Sequence, residues 1–250
     1  MEILNRIISE KTENDVKKLT ESFSKETEYF DMALTQLRGF GAVYHDNPEI
    51  YEVYLRTDLD DTTFETNLIC ELLHIQLAEN GFPNSGIKNS ETVKKEQNVA
   101  FFQYLNHSLR SAVLDMVTFS KLKEMGYDYS FFTNYKLNLI KEVNENTNMS
   151  DKYNQASFAV QFLLFMLTAE EEQVKEAAEF IDSIFEGAAT ALIPMAEEIK
   201  KIGVDTAEKA ARIMSFIADE YKLWDVFYIE YNGEKIRTHG TYLKHFEIEE

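Results

Sequence analysis

One cysteine in 250 residues allows no intrachain disulfide, so nothing in the chain asks for an oxidising compartment. Proline and glycine are scarce, at three and nine. With so few breakers and abundant Glu, Lys, Leu and Ala, the chain should be mostly helical. The longest apolar run, Phe162 to Leu167, falls far short of the roughly 20 residues that span a bilayer, so no membrane partner is expected. Met1 to Arg6 runs into a charged segment with no apolar h-region; no secretory signal is expected, and a cytoplasmic location is. Basic residues are also in deficit: 25 Lys and Arg against 44 Asp and Glu give a net charge of −19. Such a surface repels phosphate backbones and anionic membranes, which excludes general nucleic-acid binding but admits a cationic partner. The chain has no phosphate-cradling glycine loop, no dinucleotide fingerprint and no G-x-S-x-G nucleophile elbow.

The length suits one large domain or two small ones, and the chain can bury about three quarters of its unfolded surface. Residues 1 to 38 read as helical, with Leu4, Ile7, Ile8, Val16, Leu19, Phe23, Phe30 and Leu34 at helical spacing. The period then changes. Tyr51, Val53 and Leu55 alternate with Glu52, Tyr54 and Arg56, the mark of a half-buried strand, and Ala42-Val43-Tyr44 is its expected hairpin partner. Residues 83 to 90 read as a loop and 92 to 125 as a long helix stopped by Gly126. Residues 150 to 223 read as helices, one around Glu170-Glu171-Glu172 and a last one capped by Asp205 or Thr206, with Gly187 and Pro194 limiting the stretch between them. Asn232-Gly233 between two β-prone runs over 225 to 238 predicts a C-terminal hairpin that faces Glu230 with Lys235 and Ile229 with Ile236. The expectation is a single α+β domain over 1–250, mostly helical, with a small antiparallel sheet.

The stretch Phe64 to Leu77 stands out. Its apolar residues cover more than one stripe, as in a buried central helix. Asp61 or Thr62 is the expected N-cap, with Glu65 placed for a capping box. Cys70, Glu71 and His74 interrupt the apolar surface. Cys70 and His74 are four apart and share a face; Glu71 sits about 100° round the helix. Thiolate and imidazole are both zinc ligands. The bare E-x-x-H spacing carries little weight, because a chain with this many acidic residues produces it by chance in about half of cases. A buried Cys alone packs as a small hydrophobe, and His74 alone reads as a core histidine. The spacing occurs once, which excludes a di-iron carboxylate bundle.

Context makes the match more specific. Thr66 to His74 follows a strand and resembles the H-E-x-x-H helix of zinc metallopeptidases, in particular small bacterial and phage zincin-like proteins, in which H-E-L-L-H is followed by G-[FY]-P; Gly81-Phe82-Pro83 matches that trailer. Phe119 to Asp128 is similar to the later helix and glycine stop of those proteins. The likeness covers residues 50 to 130, within a zincin-like core at 40–130. It departs from the pattern at Cys70, which stands where the first histidine would be. The resemblance implies Zn²⁺ held by Cys70 and His74, Glu71 as the base acting on a metal-bound water, and a peptide or protein substrate. Asp115 is the candidate third ligand. It lies between Leu114 and Met116, where a carboxylate needs a reason, and near where the resembling proteins carry their downstream ligand. His107, roughly 12 Å away along the same helix, is the alternative. The competing reading is a non-catalytic helical interaction or regulatory protein that keeps a degenerate zincin motif.

Overall fold

The computed structural model describes residues 1–32, 39–44, 47–90, 93, 99–144, 152–237 and 247–248. The fold is α+β and mostly helical, with eight α-helices and three small sheets among these residues. The chain divides into two compact units: Met1–Asn80 with Thr118–Phe131, and Gly81–Val117 with Phe132–Glu250.

The first unit begins with two short antiparallel strands, β1 (Glu2–Ile3) and β2 (Arg6–Ile7), and a helix, α1 (Glu10–Thr20), capped by the Ser9 side chain. Then come β3 (Glu26–Asp31), β4 (Gly41–Tyr44), β5 (Ile50–Leu55) and α2 (Asp61–Glu79). The N-terminal segment is therefore not helical throughout, contrary to the expectation from its apolar spacing. Val16 and Leu19 are buried from α1, but Phe30 belongs to β3. Its run Thr27, Tyr29 and Phe30 is rich in β-branched and aromatic side chains, and pairing along the whole of β5 overrides the weak 3.6-residue pattern. Residues 33–38 lie outside the described ones.

The expected hairpin forms, with Val43 opposite Val53 and Ala42 opposite Tyr54. However, β3 pairs with the other side of β5 in parallel, so the sheet is mixed, in the order β3-β5-β4. Strand β5 is central. Both of its edges are paired. Tyr51, Val53 and Leu55 are its buried residues.

Helix α2 starts one residue earlier than expected. Asp60 is the N-cap and accepts hydrogen bonds from Thr63 N (3.0 Å) and Thr63 Oγ1 (2.6 Å). Glu65 does not close a capping box. Its carboxylate turns to α1, where it accepts from Ser9 N (2.7 Å), Ser9 Oγ (2.6 Å) and Thr12 Oγ1 (2.5 Å). At the other end, Glu79 accepts from Ser24 N (3.0 Å), Ser24 Oγ (2.5 Å) and Tyr51 Oη. Between these polar ties α2 is buried nearly all round from Phe64 to Leu77, as its apolar residues require.

The second unit holds β6 (Asn84–Ile87) and a long helix, α3 (Val99–Glu124), whose residues from Thr118 on count with the first unit. It continues with α4 (Ser130–Lys141), α5 (Lys152–Thr168), α6 (Glu171–Ile184), α7 (Ile193–Ile202) and α8 (Ala207–Glu220). Strands β7 (Phe227–Tyr231), β8 (Glu234–Arg237) and β9 (Glu247–Ile248) complete a four-stranded sheet in the order β6-β7-β8-β9. Its core joins Phe102, Leu105 and Leu109 of α3 to Leu163 and Phe165 of α5, Ile213 and Ile217 of α8 and Phe227 of β7.

The segment expected as a loop at 83–90 contains β6, whose low-propensity residues are held by pairing with β7. Gly86 makes that pairing feasible, because a Cβ there would meet the Tyr228 ring within 2.4 Å. Pro194 does not limit a helix but opens α7, where its missing N–H costs nothing. The hairpin is as expected: Asn232 and Gly233 adopt φ 54° and 77°, Glu230 faces Lys235 and Ile229 faces Ile236. Glu170 caps α6 in a capping box with Gln173, and Thr206 caps α8. No helix among the described residues is long and apolar enough to cross a membrane.

Candidate functional site

Cys70, Glu71 and His74 lie in the last three turns of α2, in the first unit. Cys70 is 3% exposed, Glu71 8% exposed and His74 half-buried. Their helical spacing, extended back to Asn67, makes a continuous polar stripe on an otherwise apolar helix.

The segment Phe40-Gly41 at the start of β4 lies against this stripe. Asn67 Nδ2 donates to the Phe40 carbonyl at 2.7 Å, and the same carbonyl accepts from the backbone N–H of Arg56 at 3.2 Å. Gly41 follows directly. A Cβ at position 41 would lie 2.6 Å from Glu71 Oε1, 2.9 Å from Glu71 Cγ and 2.9 Å from Asn67 Nδ2. Only a residue without a side chain lets the strand approach this carboxylate, a standard reason for glycine inside a strand. The Phe40 ring packs edge-on against Phe131 at 5.0 Å between centroids.

The second unit carries the other candidates. Asp115 of α3 is paired with Lys136 of α4, Nζ to Oδ2 3.5 Å, with the two side chains 13% and 19% exposed. The carboxylate flanked by Leu114 and Met116 thus has a cation beside it, one reason for its place on that helix. His107 is exposed on the same helix.

The donor chemistry can be tested against zinc. A thiolate and an imidazole one turn apart on α2 are suitable for two ligand positions. A catalytic zinc needs a third protein donor, and among the described residues no group of three or more His, Cys, Asp or Glu is arranged to hold a metal ion. The residues of α2 thus supply two of the donors that such a site needs.

The sequence reading missed Gly41 and Asn67. The signal was present in Gly39-Phe40-Gly41, a glycine pair at a strand start, and in the spacing of Asn67 one turn before Glu71. Comparison of the chain with protein-family models, with curated proteins and with solved structures found no match.

Proposed function

We propose that this protein is a zincin-type metallopeptidase-like hydrolase of the cytoplasm, with its reacting centre on α2. The observation that carries the reading is the close approach of Gly41 to Glu71 beside Cys70 and His74. A carboxylate is kept inside a nearly all-apolar helix, and a strand is shaped by a glycine to lie along it. Cys70 and His74 would hold the metal. Bound zinc would supply an acidified water and a Lewis acid for a peptide carbonyl. Glu71 takes up a proton at its carboxylate and returns it to the departing amine, held in orientation by the α2 backbone and by the Gly41 contact. Asn67 fixes the segment Phe40-Gly41 above it.

Metal content tests the reading. Protein purified without chelator should carry stoichiometric zinc, which Cys70→Ser and His74→Ala should lose. Glu71→Gln should retain the zinc and abolish cleavage of an unstructured peptide substrate. Folded wild-type protein that takes up no zinc on titration would overturn it.

One observation favours a second reading. Cys70 and Glu71 are both nearly closed off from solvent. That suits a zincin-derived helix retained as the scaffold of a non-catalytic interaction protein. Under this reading Glu71→Gln changes stability only, and zinc uptake is absent.

A further inference from the structure

The mixed sheet of the first unit has a second face. On β5, Ile50, Glu52 and Tyr54 alternate with the buried Tyr51, Val53 and Leu55 and point the other way. The register places Glu28 of β3 and Tyr44 of β4 on either side of Glu52, and Phe30 and Ala42 on either side of Tyr54. The rings form one cluster: Phe30 stacks on Tyr54 at 5.1 Å between centroids, and Tyr44 meets Tyr54 edge-on at 5.4 Å. None of the three is buried, and Tyr44 is 39% exposed.

The carboxylates on this face are arranged against their own interest. Glu28 and Glu52 are direct cross-strand partners, and like charges in that relation repel. Glu26 lies one pair further along, opposite Ile50. Glu26 and Glu28 are exposed and Glu52 is half-buried. None of these three carboxylates makes an ion pair among the described residues; Glu52 accepts a hydrogen bond from Tyr54 Oη at 3.1 Å. Arg56, just past the end of β5, is engaged by Asp58 through Nε at 2.8 Å and through Nη2 at 2.5 Å.

We propose that this face docks an arginine-bearing segment of a basic partner protein. Paired like charges and a partly exposed aromatic cluster occur on the same face of this sheet, and the two features select the same occupant. Guanidinium stacks on aromatic faces and bridges neighbouring carboxylates with its fork of donors. Rings alone would accept any apolar surface. The carboxylates and the net charge of −19 restrict the partner to a cationic one. This docking face is separate from the stripe on α2 and does not depend on metal there.

The test is calorimetric titration of the full chain with a peptide of alternating arginine and alanine, and with lysine–alanine and glutamate–alanine peptides of the same length, at low and at near-physiological salt. The arginine peptide should bind, the lysine peptide more weakly and the glutamate peptide not at all. Glu28→Gln with Glu52→Gln, and separately Tyr44→Ala, should each weaken binding of the arginine peptide about tenfold. A control that loses the same charge elsewhere, Glu171→Gln with Glu172→Gln on α6, should leave binding unchanged. Equal loss in the control reduces the effect to net charge and overturns the proposal, as does absence of arginine-peptide binding. Calcium chloride that displaces the peptide at matched ionic strength overturns it in favour of a metal-cation site. The double glutamine variant should also melt no lower than wild type, because it removes a repulsion. A clear fall would refute the premise that the pair is unfavourable.

Discussion

Gly41→Ala tests the packing of β4 on α2. In a strand this substitution is ordinarily favourable, since alanine loses less chain entropy on folding than glycine; where the backbone fits, the gain is about 0.4–1 kcal/mol. Gly41 is not among the residues with positive φ, so alanine meets no backbone strain there. The space decides the sign. The new methyl would lie 2.6 Å from Glu71 Oε1, 2.9 Å from its Cγ and 2.9 Å from Asn67 Nδ2. The carboxylate tip could swing aside in an open site, but Glu71 is 8% exposed and its Cγ is fixed by the helix. Overpacking of this kind costs about 1–3 kcal/mol. If β4 lifts instead, the Asn67 to Phe40 bond is lost, and Asn67, whose Oδ1 already has no hydrogen-bond partner, is left with a buried unpaired amide. Either route outweighs the entropy gain and leaves a net loss of about 1–2 kcal/mol, or a fall in melting temperature of roughly 3–6 °C. Thermal unfolding followed by far-ultraviolet circular dichroism reads it. Combining Gly41→Ala with Glu71→Ala should recover most of the loss in a double-mutant cycle, with a coupling of about 1 kcal/mol. A Gly41→Ala protein as stable as wild type, or a cycle with no coupling, would refute the close approach.

Acid should loosen the first unit through its glutamates. Burial opposes ionisation of Glu65, but the hydrogen bonds from Ser9 and Thr12 outweigh it and hold the carboxyl below its usual range; at Glu79 burial is likewise outweighed by bonds from Ser24 and Tyr51. A depressed folded-state pKa stabilises above the unfolded value, near 4.3, and that contribution is lost as pH falls through the folded value. Urea midpoints should therefore drop below about pH 4, and Glu65→Gln with Glu79→Gln should flatten that slope. Asp60→Ala removes the N-cap of α2 and should cost about 1 kcal/mol by urea denaturation, which Asp60→Ser largely restores. Gly233→Ala forces a Cβ into φ 77° and should destabilise by about 1–2 kcal/mol, with Asn at that position milder than Ala.

The parts of the fold that the sequence makes legible are those whose cause is local. Asn232-Gly233 specifies its own turn, and the register of Glu230 with Lys235 follows from turn length alone. Burial of α2 follows from apolar residues on every side. The failures occur where a distant partner decides. Glu26 to Asp31 form a strand because β5 is there to pair with, and Asn84 to Ile87 because β7 is, with Gly86 leaving room for the Tyr228 ring. Glu65 illustrates the same conflict at one side chain. Its position suits a capping box, but three donors from Ser9 and Thr12 of another segment capture it. Local propensity proposes, and long-range pairing overrides it where the local preference is weak.

The candidate site divides along the same line. Helical spacing relates Cys70, Glu71 and His74 correctly, since neighbours on one helix are fixed by its period alone. No spacing rule relates Glu71 to Gly41, thirty residues upstream across a strand connection, although that contact gives the carboxylate its setting. Nor does position between Leu114 and Met116 show that Asp115 has Lys136 for a neighbour, which supplies a charge partner without any metal. The burden of the functional reading therefore shifts from the motif to the contact. An E-x-x-H pattern arises readily in an acidic chain, but a strand glycine that admits a buried carboxylate beside a thiol and an imidazole does not follow from composition. Glu71 lies there beside the glycine that accommodates it, and the proposed function rests on this contact more than on the E-x-x-H spacing.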